Sequence, residues 1–472
     1  MAGIATHDGI RLSVPRPALL AQRVAGVGAL AGIGVVSYGF ALAAAERPSF
    51  LAPPTLHGRD PAWLAGPLAG HWPALSQAVG TLRWGTTLGL LAMTVLWLLA
   101  VACARVLGPA AVAVALIAAV AVLTLAPPYS LGDTFNYLHY ARMRPLFGLD
   151  PYAALPRQAR ADPAYAFSTW HHLRDPYGPL FTFALERLAP LGLPASYWLL
   201  KASVGAAALA CGGLVALLAR DTGRDPATAV AFTMLNPLVL IYGVGGVHND
   251  LFVAALVLGA AVLVRRRHPA AALAGGTLVA AALAIKLTAG LAAPFVLLAA
   301  RRRVLAATGL AAGVAAAAAL VLLAYSGHLP DDGQQSRLVM GLSPANLLGL
   351  ALGRGGLDPV LRSDLTIALA LGAGGAALWA WRTRDWAAGA AGAFVVTLLC
   401  LGWVMPWYIL WVLPFAALAH RGGSRAAAIA LTVFLLVIWA PASAPALHRL
   451  GGHPTATATG RVNNHFLHAL LR

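Results

Sequence analysis

The feature that most constrains this chain is a succession of apolar runs, about every second one closed by a short connection that carries arginine. The runs lie near 24–45, 84–104, 108–127, 195–219, 226–242, 250–264, 270–285, 288–300, 304–325, 361–381, 386–404, 408–420 and 426–441, about thirteen in all. A helix crosses the hydrocarbon of a bilayer in ~20 apolar residues. Inside hydrocarbon each backbone polar group must find its partner within the protein, so lipid-facing runs of this kind fold as helices. The expected fold class is therefore all-α: a polytopic membrane protein of about thirteen transmembrane helices, several of them short or re-entrant. Of 472 residues, 60% are hydrophobic and 10% are charged, against ~25% charged in soluble domains. That excludes a disordered chain, a disulfide scaffold and a conventional soluble enzyme. The formal charge of +17 does not indicate nucleic acid, because the arginines punctuate apolar runs and form no basic domain or stripe. Cys103, Cys211 and Cys400 lie in apolar runs without metal-ligand spacing.

Orientation follows from the arginines. The run at 24–45 comes after Arg11, Arg16 and Arg23 and exceeds the ~7–15 residues of a signal-peptide core, so it reads as a retained anchor. With residues 1–23 cytoplasmic, alternation puts Arg105, Arg220 and Arg224, Arg265 to Arg267, Arg301 to Arg303, Arg382 and Arg384, and Arg421 and Arg425 on the cytoplasmic side. One transmembrane domain then occupies 24–441, with an extracytoplasmic loop at 128–194 and an extracytoplasmic tail at 442–472. Between Arg267 and Arg301 lie 33 residues, short of the ~40 that two crossings need. This pair is expected to be short, tilted or re-entrant, with Lys286 at its turn facing a cavity covered by protein; the alternative is a lysine snorkelling to an interface. Lys201, near the start of its span, is expected to snorkel.

The polar groups concentrate in the outer loops. Residues 133–144 suit a short helix with Asp133, Asn136, Tyr137, Tyr140 and Arg144 on one face and Phe135, Leu138 and Arg142 on the other. The first face reads as a sugar-binding surface, or Asp133 simply caps the helix. Asp60, Asp150, Asp162, Asp175, Asp225 and Asp358 each precede proline, a pattern that starts turns and helices. Asp133 and Asp250 do not, and both stand at the outer ends of spans. They are the candidate reactive acids, since partial shielding from water raises a carboxyl pKa and strengthens it as a base. A second site follows Asn236-Pro237: a glycine-rich turn leads into His248, Asn249 and Asp250, read either as donor recognition or as a turn with a cap. A third is Trp407 and Tyr408, followed by Trp411, an interfacial belt or a platform for a sugar or prenyl chain. No zinc spacing, Walker loop or dinucleotide fingerprint is present.

An acid just after an early span, with cations near membrane level, suits a sugar carried on a lipid phosphate. The departing phosphate needs cations, which Lys286, His248, Arg142 and Arg144 supply, and the acceptor hydroxyl needs a base, which Asp133 supplies.

The motifs GDTFNYLHYARM (132–143), GLDPY (148–152), DPYGPLF (175–181), NPLVLIYGVGGVHNDLF (236–252), AIKLTAGLAAPF (284–295) and MPWYILW (405–411) resemble those of the GT-C superfamily of polytopic glycosyltransferases. They are most similar to the actinobacterial polyprenol-phosphate-mannose-dependent α-1,6-mannosyltransferases. The resemblance implies a polyprenyl-phosphate sugar donor, usually mannose, a glycan or glycolipid acceptor, and an active site on the extracytoplasmic side of the cell membrane. It implies Asp133 as catalytic base, Tyr177 and Gly178 in a Pro-Tyr-Gly-Pro lining motif, His248, Asn249 and Asp250 as the second polar motif, and Lys286 as the basic position. Some members carry two adjacent acids at the first motif, whereas Gly132 precedes Asp133 here. The expectation is accordingly no obligate metal and no cofactor. An arabinosyl- or glucosyltransferase is the alternative within the superfamily. A transporter would show interrupted helices in matching halves, and one interrupted pair is visible.

Overall fold

The computed structural model describes residues 16–46, 61–71, 79–129, 133–421 and 423–471. Arg11, Asp60 and Gly132 lie outside the described residues, as does most of the 1–23 segment. Among the described residues there are helices and turns and no strand. Five helices are long and apolar enough to cross a membrane: Pro17–Ala45, Gly80–Thr124, Leu193–Asp221, Arg303–Tyr325 and Pro359–Thr383. Gly423–Trp439 and Ser443–Arg449, bent by 74°, form a further candidate. The Val79–Thr124 helix is broken at Gly108, whose φ of 82° is open to glycine at little cost, followed by Pro109. The runs at 84–104 and 108–127 are thus two helices joined by a kink.

The remaining apolar helices are short, and they build the centre of the molecule. Asp250–Val264 and Pro269–Leu283 have 15 residues each, about 22 Å of helix against a hydrocarbon layer of ~30 Å. After Pro269–Leu283 the chain turns at Lys286 and returns through the 3-10 turn Leu287–Ala292 and the helix Ala293–Ala299. Its far end meets its beginning, since the Arg301 amide donates to the Val264 carbonyl at 3.0 Å. This is the short pair, turning at Lys286, that the residue count demanded. The arginine-bearing connections gather at that same end. Arg265 bonds Asp221, Arg301 Nε donates to the Arg265 carbonyl at 2.6 Å, and Arg224 Nη2 donates to the Ala419 carbonyl at 2.5 Å.

The opposite end is closed by the 133–192 segment, the 326–357 segment and the tail. The tail helix Ala458–Leu471 lies on the loop: His172 N donates to the Leu470 carbonyl at 3.0 Å, and Asn463 Oδ1 accepts from the Val339 amide at 2.7 Å. Leu470 is buried with Tyr140, Met143, Trp170 and Leu173. Lys201 departs from expectation. It does not snorkel: the residue is 1% exposed, and its ammonium reaches the Leu123 carbonyl at 3.5 Å and lies 5.9 Å from the centre of the Tyr197 ring. The Leu193–Asp221 helix packs on both neighbouring helices there, which closes the route to the interface.

Candidate active site

Asp133 opens the helix Asp133–Phe147, at the end where the helix dipole favours an anion. Asn136, one turn on, donates to Asp133 Oδ1 at 3.4 Å. Asn136 is itself fixed by the neighbouring loop: its Oδ1 accepts from the Thr169 amide at 2.8 Å and the Trp170 amide at 3.2 Å, and its Nδ2 donates to Thr169 Oγ1 at 2.9 Å. Asp133 Oδ2 lies 3.6 Å from His248 Nδ1. Burial pushes the Asp133 carboxyl up to about 6; the Lys286 charge is the strongest opposing influence, followed by the Asn136 hydrogen bond.

The second motif reaches the same place by an irregular route. Pro226–Met234 ends before Asn236-Pro237, and the chain widens into a π turn at Val239–Val244. Val247 then holds a φ of 60°, a strained value for a β-branched residue. That turn lays His248 flat on Trp407, with ring centroids 3.3 Å apart and planes 12° apart. Asp250 begins the next helix and is fully buried. It receives both Lys286 Nζ, at 2.8 and 2.9 Å, and Trp411 Nε1, at 2.7 Å. The Lys286 ammonium also sits over the rings of Tyr408, at 4.7 Å, and Trp411, at 5.2 Å. The side chains of Asp133 and Lys286 keep 20% and 22% exposure while those of Asp250 and His248 keep 1%. Solvent therefore reaches the first pair of groups, and the second pair supports them from behind.

The Pro-Tyr-Gly-Pro segment joins the two halves through the main chain. The Gly178 amide donates to the Ile285 carbonyl and the Leu180 amide to the Ala284 carbonyl, both at 3.0 Å. A Cβ at Gly178 would fall 2.6 Å from the Ala284 carbonyl carbon, so only glycine permits this approach. Tyr177 packs edge-on against Tyr137 at 4.5 Å, and Tyr137 is within hydrogen-bonding reach of the Asn249 backbone. Asn249 is buried with its Nδ2 unpaired. A narrow apolar cleft of about 30 Å³ adjoins the ion pair; Trp411 lines it together with Val257, Leu258, Ala292, Phe394 and Phe415.

The structure thus brings together Asp133, Asn136, Tyr137, Tyr177, His248, Asn249, Asp250, Lys286, Trp407 and Tyr408. It corrects the placement of two expected phosphate ligands. Arg142 is buried against Asp162, with Nε–Oδ distances of 3.1 and 2.9 Å, and also donates to the Ala189 carbonyl. Arg144 is bound to Glu186, which also accepts from Tyr325 Oη at 3.1 Å. Both guanidiniums are committed to acids of the outer segment, a partnership that helical spacing does not reveal. His248, also expected at the phosphate, stands 3.6 Å from the Asp133 carboxylate. Trp411 was named only as following the third site, and Trp170 was not singled out. Trp411 stands one helical turn beyond Trp407, and Trp170 lies in an aromatic and histidine cluster, Trp170-His171-His172. The Asp-Pro aspartates serve local structure: Asp162, Asp225 and Asp358 cap helices, and Asp150 and Asp175 accept amides two residues on. Among the described residues, no three His, Cys, Asp or Glu side chains are grouped to hold a metal ion.

An all-helical polytopic membrane protein with a carboxylate–ammonium site at one end of its bundle is the class that fold and site define. The chain belongs to the alpha-(1->6)-mannopyranosyltransferase family, whose N-terminal domain model matches residues 33–302; the MptB C-terminal domain model matches residues 339–467. The alpha-(1->6)-mannopyranosyltransferase A of Mycobacterium tuberculosis is 30% identical over 356 residues, 68% of this chain and 67% of the relative. The protein of the same name from Corynebacterium glutamicum is 28% identical over 186 residues, 37% of this chain and 36% of the relative. A probable alpha-(1->6)-mannopyranosyltransferase of Mycolicibacterium smegmatis is 27% identical over 378 residues, 66% of each chain. The chain spans about two thirds or less of the length of these relatives. No solved structure matches it.

Proposed function

We propose that this protein transfers mannose from a polyprenyl-phosphate carrier to an extracytoplasmic glycan or glycolipid acceptor, forming an α-(1→6) linkage as its relatives' names describe. Asp133 accepts the proton of the acceptor hydroxyl. The freed oxygen attacks the anomeric carbon with inversion, and the bond to the carrier phosphate breaks as the new glycosidic bond forms. Lys286 holds the departing phosphate, where the negative charge grows. Buried Asp250 fixes the ammonium and is itself held by Trp411, and His248, stacked on Trp407, stands 3.6 Å from the Asp133 carboxylate. Asn136, Tyr137, Tyr177, Asn249 and Tyr408 surround the sugar. The prenyl chain follows the apolar cleft from Trp411 downward. The observation that carries this reading is a solvent-reached carboxylate, Asp133, within the electrostatic reach of a solvent-reached ammonium, Lys286, beside an apolar cleft.

The test supplies washed membranes with separately labelled polyprenyl-phosphate mannose, arabinose and glucose. Mannose is expected in the product, and Asp133→Asn is expected to abolish its transfer with thermal unfolding unchanged. Near-wild-type turnover by that variant removes Asp133 as base. Incorporation of arabinose or glucose in place of mannose reassigns the donor.

A further inference from the structure

The end of the bundle opposite Asp133 carries a second collection of charge that glycosyl transfer does not use. The feet of the short hairpin bring Arg265, Arg266 and Arg267 against Arg301, Arg302 and Arg303. Arg265 pairs with Asp221. Arg301 Nε and Arg302 Nε donate to the carbonyls of Arg265 and Arg267, at 2.6 and 3.0 Å, and Arg303 Nη2 donates to the Leu298 carbonyl at 3.3 Å. A carbonyl satisfies a donor without cancelling its charge. Among the described residues these six guanidiniums therefore share one carboxylate.

Two cavities of about 200 Å³ each open here, and Arg265 lines both. The first has an apolar floor of Leu217, Leu218 and Val262 and a rim of Arg265, Arg266, Arg267 and Arg301, on which Asp221, the partner of Arg265, is the one acid. The second is lined by Arg303, Arg384, Trp381 and Trp386. A soluble anion needs the cationic rim alone. A lipid phosphate uses the rim, the apolar floor and the tryptophans that favour an interface. We infer that this arginine ring binds an anionic phospholipid carrying two phosphates, one seated in each cavity with Arg265 between them. The lipid cancels the repulsion between the hairpin feet and so holds in place the hairpin that carries Lys286 at its turn.

The experiment uses the purified full chain in phosphatidylcholine nanodiscs with cardiolipin added, followed by thermal unfolding and by native mass spectrometry for retained lipid. Cardiolipin is expected to raise the unfolding temperature and to remain bound at one copy. Arg266→Gln/Arg303→Gln is expected to weaken its apparent affinity about 25-fold, at roughly fivefold for each guanidinium removed. The charge-preserving Arg266→Lys/Arg303→Lys variant keeps most of the effect, which separates loss of the site from loss of the fold. Unchanged cardiolipin affinity in the glutamine variant overturns the site. Equal stabilisation by phosphatidylglycerol at matched phosphate overturns the two-phosphate ligand. Equal stabilisation by inorganic phosphate or pyrophosphate overturns the lipid and leaves a soluble anion.

Discussion

A base held up by burial leaves a mark on the rate profile. With its carboxyl at about 6, Asp133 is about nine-tenths ionised one unit above that value and about one-tenth ionised one unit below it. The active form is the carboxylate, so activity is present above about pH 6 and lost as the pH falls through it. Between about pH 7 and pH 5 the wild-type kcat/KM for the acceptor is expected to drop roughly eight- to tenfold. A solvated aspartate near 3.9 would lose only about a tenth over the same range. Lys286 is the strongest influence holding the carboxyl down, so Lys286→Met shifts the acid limb to higher pH as well as slowing transfer. The assay is initial-rate transfer of label from the polyprenyl-phosphate donor at constant ionic strength, with return to about pH 7.5 to establish reversibility. A wild-type profile flat to about pH 5, or a limb unmoved in Lys286→Met, refutes the assignment of the proton acceptor.

Three further expectations follow from the contacts. Lys286→Met leaves the Asp250 carboxylate buried without its cation and is expected to cost about 3–5 kcal/mol in detergent unfolding; Lys286→Met/Asp250→Asn recovers stability without recovering donor use. Arg142→Ala strands buried Asp162 and is expected to lose a similar amount of stability while leaving the donor KM unchanged; a large rise in that KM returns Arg142 to the phosphate site. Gly178→Ala breaks two main-chain hydrogen bonds, worth about 2 kcal/mol together. A displacement of about 1 Å at Lys286 lowers turnover on the order of 100-fold, and unchanged melting and turnover contradict the joint.

The architecture was legible because lipid imposes the same rule on every span. Apolar runs and arginine-bearing connections marked the helices, and the residue count between Arg267 and Arg301 exposed the short pair. Motif order picked out Asp133, His248, Asp250 and Lys286, and the fold gathers these four at one end of the bundle. Partner choice was not legible. Arg142 and Arg144 differ from a phosphate ligand only in acids 20 and 42 residues away, Asp162 and Glu186, and helical period says nothing about those. Lys201 misled because distance along a span does not report what packs beside it. The docking of Ala458–Leu471 depends on shape matching with a loop nearly 300 residues earlier, a match that neither segment's composition records.

The two 15-residue helices that end at Asp250 and near Lys286 have one more consequence. A column of about 22 Å in a layer of ~30 Å ends within the thickness of one leaflet. A lipid head group arriving there travels sideways within that leaflet and does not descend from bulk water. Its working concentration is then a mole fraction of the surrounding lipid, so adding inert lipid should slow the reaction even when the total amount of donor in the tube is unchanged.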